Sequence, residues 1–320
     1  MKISFGKILR AIIVALLLLL VAIIIAWVII VKKVENQNRA NTIALRLTLV
    51  EGVNDIEAAY SENLKCEVEV ATIKAESKPF KEYNVIYPKE LEGKYPVIIW
   101  SNGSGGAYKN YDAALKSLAS YGFVVIANDD GATGNGLTTY ELGLFAEEIN
   151  SDLSYPFAGH MDVEHMGVGG HSQGGCGAIN AATRYERSTE IFKSLFTTSM
   201  PHIGICNDMF PDWKYDVGLI QIPYYMNCGT GTFDTGVIPI DSMYNNYNGL
   251  PEGTPAVMAV MTGSDHNIVN DDHGCGSMNA WFCYTLKDDP IAAGLFTDKC
   301  ELANNTERWQ DVNTKNLKEL

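Results

Sequence analysis

The sequence is short of positive charge: its 320 residues hold 24 Lys+Arg against 38 Asp+Glu. Residues 1–40 take six of the basic residues and one of the acidic ones, which leaves 18 against 37 for the rest. A surface of that sign repels phosphate backbones, so nucleic acid is not an expected partner, and a solvated acidic face explains the excess. The chain also lacks any CxxC pair or Cys/His spacing of the zinc-binding kind, so no metal and no cofactor is implied. Its Gly-rich turn Ser101-Asn102-Gly103-Ser104-Gly105-Gly106 lacks the Gly-Lys-Ser/Thr that completes a phosphate cradle. No internal repeat divides the chain, whose length suits one large domain plus an appendage.

The appendage is the uncharged apolar run from Ala11 to Val31, 21 residues long. As a helix it would measure about 31 Å, enough to cross a hydrocarbon core. Lys2, Lys7 and Arg10 precede it, Lys32, Lys33 and Arg39 follow, and no small-x-small cleavage site comes after. The expectation is an uncleaved transmembrane anchor over residues 1–35, a juxtamembrane linker over 36–64 and a globular domain over 65–320. Flanking charges are balanced and decide orientation poorly. An N-terminal anchor commonly doubles as an export signal, which places the expected domain on the extracellular side of the cell membrane. Seven cysteines (66, 176, 206, 228, 275, 283 and 300) are many for a reduced compartment. One or two disulfides are expected, with Cys176 buried and free.

From Cys66 onward, strand and helix patterns alternate. Glu67–Ile73 alternates like an edge strand, and Asn84–Tyr87 is a second strand stopped by Pro88. Tyr95–Trp100 and Phe123–Ala127 are continuous apolar runs of the buried kind. Leu195–Thr198, Ile222–Asn227 and Ala256–Met261 supply later strands. Helices are expected over Tyr111–Ser120, Glu141–Leu153, Gln173–Arg184, Gly274–Leu286 and Thr306–Leu317. This alternation implies an α/β fold with a mostly parallel sheet covered on both faces.

The stretch that carries chemistry is Met166-Gly-Val-Gly-Gly-His-Ser-Gln-Gly-Gly175. A serine with glycines two residues to either side, between an apolar strand and an Ala-rich helix, fits a sharp turn that exposes its hydroxyl. Ser172 is the expected nucleophile, and the helix behind it aims amides at a developing negative charge. A serine hydroxyl needs a base. Of six histidines, His266 alone leaves the end of a late buried strand, Ala256–Met261, where parallel sheets place their ligands. His160, His165 and His273 lie elsewhere, and His171, adjacent to the serine, points away. The base in turn needs a carboxylate, ordered between serine and histidine along the chain. Asp234 is expected, in preference to Asp208 and Asp216 in the preceding loop and to Asp265, which is adjacent to the histidine. The oxyanion amides are expected at Gln173, after the nucleophile, and at Ser104, after strand Tyr95–Trp100.

Residues 66–310 resemble the α/β-hydrolases of the polyester-hydrolase, cutinase and chlorophyllase-like group. The resemblance is carried by Val97-Ile-Ile-Trp-Ser-Asn-Gly-Ser104, Leu118-Ala-Ser-Tyr-Gly-Phe-Val-Val-Ile-Ala127, Asp162–Gly175, and Ile238-Pro-Ile-Asp-Ser-Met243 before Gly263-Ser-Asp-His266. It implies an α/β-hydrolase fold, the same Ser172, Asp234 and His266, oxyanion amides at Ser104 and Gln173, and substrate contacts at His202, Gly103 and His171. The chain departs from that group at Ser104, where the group has an aromatic, at Gln173, where it has Met, and at Pro201-His202, where many have Pro-Trp. The loop from Asn207 to Gly218 is longer, and its Met209, Phe210 and Trp213 are placed to cover a cleft. The implied activity is hydrolysis of carboxylic esters, with a small-molecule or lipid-like ester as substrate. An acyltransferase or thioesterase using the same residues is the alternative, and a non-catalytic binding domain of the same fold is a third.

Overall fold

The computed structural model describes residues 55–320 other than 62, 63, 77, 271, 298 and 299, together with Leu16. Its strands are β1 (Val68–Lys74), β2 (Glu82–Pro88), β3 (Tyr95–Ser101), β4 (Val124–Asn128), β5 (Met161–His171), β6 (Phe192–Thr198), β7 (Tyr224–Gly229), β8 (Ala256–Met261) and β9 (Trp309–Lys315). They form one sheet in the order β1-β2-β4-β3-β5-β6-β7-β8-β9. Pairing is parallel from β4 through β8 and antiparallel at both flanks.

The apolar runs explain the layering. Successive side chains of a strand point to opposite faces, so a run apolar at every position must be covered twice. Val97 and Ile99 of β3 pack on one face with Leu142 and Ala146 of α3 (Leu137–Asn150) and Ile179 of α4 (Gln173–Thr183). Ile98 and Trp100 pack on the other with Leu115 and Leu118 of α2 (Asp112–Ser120) and Trp281 and Phe282 of α7 (Asp272–Lys287). Trp100, Trp281 and Phe282 are fully buried, each contributing about 1.5–3 kcal/mol by leaving water. The mostly parallel sheet with helices on both faces is the fold class the sequence pattern implies.

Some expectations need correction. Thr306–Leu317 is not a helix. Its centre is β9, paired antiparallel to β8 at the sheet edge, where Trp309 is buried and the polar remainder meets solvent. Helix α3 starts four residues before the expected Glu141, because Asn135 Oδ1 accepts the N–H of Leu137 at 2.9 Å and opens the helix there. The stretch expected as linker contains α1 (Asp55–Tyr60), which is fastened to the domain. Glu57 is fully buried and accepts from Trp309 Nε1 and Asn305 Nδ2, both at 3.2 Å, while Tyr60 donates to Asp289 at 2.6 Å. The expected anchor, apart from Leu16, lies outside the described residues, and no helix among those residues is long and apolar enough to cross a membrane.

No disulfide forms: all seven cysteines carry free thiols. Five of them, Cys176 included, are buried and serve as small apolar side chains, while Cys66 is exposed and Cys300 half-buried. The thiols of Cys176 and Cys206 touch at 3.8 Å.

Candidate active site

Between β5 and α4 the chain turns at Ser172, whose φ of 54° and ψ of −127° are strained for a residue with a side chain. The neighbouring glycines are sterically required. A Cβ at Gly170 would lie 2.0 Å from the Gly174 carbonyl oxygen, and one at Gly174 would lie 2.1 Å from that of Ser101. The same close approach sets the start of α4 against the end of β3, and so brings the loop carrying Gly103 and Ser104 beside the serine.

Ser172 Oγ lies 2.9 Å from His266 Nε2, and His266 Nδ1 lies 2.8 Å from Asp234 Oδ1. His266 follows β8, and Asp234 sits in α6 (Thr232–Val237) after β7, so adjacent parallel strands deliver both to one end of the sheet. Asp234 is fully buried. Its second oxygen accepts from Ser199 Oγ at 2.8 Å and from the Gly229 N–H at 2.5 Å. A buried carboxylate with that many donors is fixed in rotation, each such bond contributing about 1.5–3 kcal/mol. Nδ1 of His266 must therefore carry the ring proton, and Nε2 turns its lone pair to the serine.

Asp265 is not the acid, but it ties the acid to the base. Its carboxylate accepts the N–H groups of Asp234 at 2.7 Å, Phe233 at 3.3 Å and His266 at 2.9 Å. Gly231 makes room for it, since a Cβ there would sit 2.2 Å from the Asp265 carboxyl carbon. Ser199, Gly229 and Tyr111 also act on the site without being expected from the sequence, where Asp265 enters only as a rejected acid. Ser199 alone left a structural signal, a φ of 51° in a buried non-glycine residue.

Ser104 is exposed on the loop after β3, and Gln173 opens α4 directly behind the nucleophile. His202 caps α5 (Ile203–Met209), accepting the Gly204 N–H at 3.2 Å through Nδ1. Two of the expected substrate contacts have their polar groups engaged within the protein. His171 is buried with both ring nitrogens engaged, Nδ1 with Tyr111 Oη at 2.9 Å and Nε2 with the His266 carbonyl at 2.5 Å. Burial, and secondarily the nearby His266, push its imidazole down to about 3, and it stays neutral. The N–H of Gly103 is likewise taken by Tyr111 Oη, at 2.9 Å.

The rim is apolar. Phe233 stands edge-on to His266 at 4.7 Å, and Phe210 stacks on Trp213 at 3.8 Å. Trp213 covers Gly134, where a Cβ would lie 2.3 Å from the indole. Met209, Phe210, Leu219, Phe233 and Ile240 are exposed. Among the described residues no group of three or more His, Cys, Asp or Glu is arranged to hold a metal ion. A hollow of about 340 Å³ lined by Phe296, Cys300, Lys315 and Glu319 contains none of Ser104, Ser172, Gln173, Asp234 and His266.

The chlorophyllase family model matches residues 57–204, just under half of the chain. The match includes Ser104, Ser172 and Gln173 and ends before Asp234 and His266. No curated protein matches the chain. With its parallel sheet, its strand-turn-helix at Ser172 and this match, the chain is similar over residues 57–204 to the chlorophyllase family, a member of the α/β-hydrolase superfamily.

Proposed function

We propose that the chain is a serine hydrolase of carboxylic esters that works through an acyl-enzyme, with Ser172, His266 and Asp234 as its catalytic residues. One observation carries this reading: the unbroken hydrogen-bonded line from Ser172 Oγ through the imidazole of His266 to a fully buried, fully paired carboxylate. The family match supports the class of ester hydrolase. His266 Nε2 takes the serine proton as Oγ attacks the ester carbonyl, and the carbonyl oxygen becomes the oxyanion of a tetrahedral intermediate. Backbone amides of Ser104 and Gln173 receive that charge. Ser104 is chosen because the preceding amide, at Gly103, is already given to Tyr111. Asp234 stabilises the imidazolium, which returns its proton to the departing alkoxide and releases the alcohol. Water, deprotonated by the same His266, then attacks the acyl-enzyme and frees the acid and Ser172.

The exposed Phe233, Phe210 and Met209 around His266 and α5 favour an ester with an apolar acyl or alcohol group. The apolar run from Ala11 to Val31 supports a single-pass membrane anchor. With the cysteines free, an extracellular domain rests on that run alone. The test is turnover of a panel of p-nitrophenyl esters by the full chain in detergent, beside its Ser172→Ala variant. The reading expects hydrolysis that Ser172→Ala abolishes. Hydrolysis that survives the substitution, or none by the parent chain on any ester, rejects it.

A further inference from the structure

Three backbone segments must meet for the proposed reaction: the loop after β3 that offers Ser104, the turn that holds Ser172, and the loop after β8 that carries His266. They are joined at one buried side chain that the reaction itself does not use. His171 is 8% exposed and Tyr111 4% exposed, and Gly103 is buried beside them. The Gly103 N–H meets Tyr111 Oη at 2.9 Å, Tyr111 Oη meets His171 Nδ1 at 2.9 Å, and His171 Nε2 meets the His266 carbonyl oxygen at 2.5 Å.

The proton order along this line follows from its two ends. A backbone N–H can only donate, so Tyr111 Oη accepts from Gly103; a carbonyl oxygen can only accept, so His171 Nε2 must donate to His266. The single phenol proton is then left for Nδ1. The opposite tautomer would set the Nε2 lone pair against a carbonyl oxygen at 2.5 Å and leave the phenol proton without an acceptor on this line. A doubly protonated ring would bury a cation facing the base, and burial holds the imidazole down to about 3. Burial also pushes the Tyr111 phenol up to about 12, which keeps its proton in place. Gly103 lets the line close, because a Cβ there would lie 3.0 Å from Tyr111 Oη and 3.1 Å from His171 Nδ1.

We infer that His171, in its neutral Nε2–H form and oriented by Tyr111, is a positioning residue that fixes the oxyanion loop and the His266 loop against the nucleophile. The inference rests on the ester-hydrolase reading for its kinetic consequence, and on hydrogen-bond chemistry alone for the proton order. Position 171 then requires an acceptor toward Tyr111 and a donor toward residue 266. Glutamine can supply both through its side-chain oxygen and nitrogen; leucine supplies neither.

The experiment uses the full chain in detergent with selectively 15N-labelled histidine, read by long-range 1H–15N correlation, together with steady-state kinetics of Tyr111→Phe, His171→Gln and His171→Leu. The wild-type His171 ring is expected to be protonated at Nε2 only. Tyr111→Phe and His171→Leu are expected to lower kcat about 10- to 100-fold with KM changed less than about twofold, the effect of a small misplacement of reacting groups. His171→Gln is expected to recover most of that loss. A ring protonated at Nδ1 overturns the inference whatever the kinetics. So does a Tyr111→Phe variant within about twofold of wild-type kcat, or a folded His171→Gln as slow as His171→Leu. Absence of Ser172-dependent turnover in the wild type would instead sink the ester-hydrolase reading, with the ring spectrum still deciding the proton order.

Discussion

Replacing Asp234 by asparagine should inactivate the site through the tautomer of His266 rather than through geometry. The carboxylate oxygen facing away from the imidazole accepts from Ser199 Oγ and from the Gly229 N–H. An amide NH2 placed there would confront the Gly229 N–H, so the asparagine carbonyl must take that position and its NH2 must face His266 Nδ1. A donor facing Nδ1 makes that nitrogen an acceptor and moves the ring proton to Nε2, 2.9 Å from Ser172 Oγ. The base then has no lone pair to offer the serine. The same exchange in a serine protease costs about 10⁴ in kcat, a barrier increase of about 5 kcal/mol, and a loss of that size with KM little changed is expected here. The assay is kcat and KM on an aryl ester with a thermal melt beside it. A folded Asp234→Asn enzyme within tenfold of wild-type kcat would refute the assigned proton positions.

Other outcomes follow from individual contacts. Gly174→Ala places a Cβ 2.1 Å from the Ser101 carbonyl oxygen, so a chemical-denaturation curve should show a loss above the ~1–3 kcal/mol usual for overpacking, or no folded protein at all. Phe233→Ala removes the ring edge-on to His266, and the KM for bulky or long-chain esters should rise several-fold relative to acetates while melting changes little. His171 titrates from the ordinary 6.5 down to about 3 on folding, so the unfolded chain binds its proton more readily. Its contribution to stability is complete above about pH 6.5 and falls by about 1.4 kcal/mol per pH unit below that, toward pH 3. Denaturation of wild type and His171→Gln at two acidic pH values should show the wild type losing more.

The central strands were legible because a parallel strand covered on both faces must be apolar at successive positions, as in Val97-Ile-Ile-Trp100. The turn at Ser172 was legible because its glycines are dictated by contacts within a few residues or with one neighbouring strand. Asp234 and His266 could be picked from their places after β7 and β8, and the structure brings them within hydrogen-bond reach of each other and of Ser172. β9 was not legible, because an edge strand with one buried aromatic and a solvated remainder has little periodicity to read. Nor were Tyr111 and Ser199, whose partners lie 60 and 35 residues away and meet them only once the sheet has formed. The cysteine count pointed to disulfides, but the packing of the two core layers, not the count, decides where each thiol lies.

The most direct measurement is the mass of the full chain after reaction with a fluorophosphonate, followed by mapping of the modified peptide. A single adduct on Ser172, lost in both Ser172→Ala and His266→Ala, is the predicted result. An unmodified chain that is folded and stable, or an adduct on another residue, would contradict it.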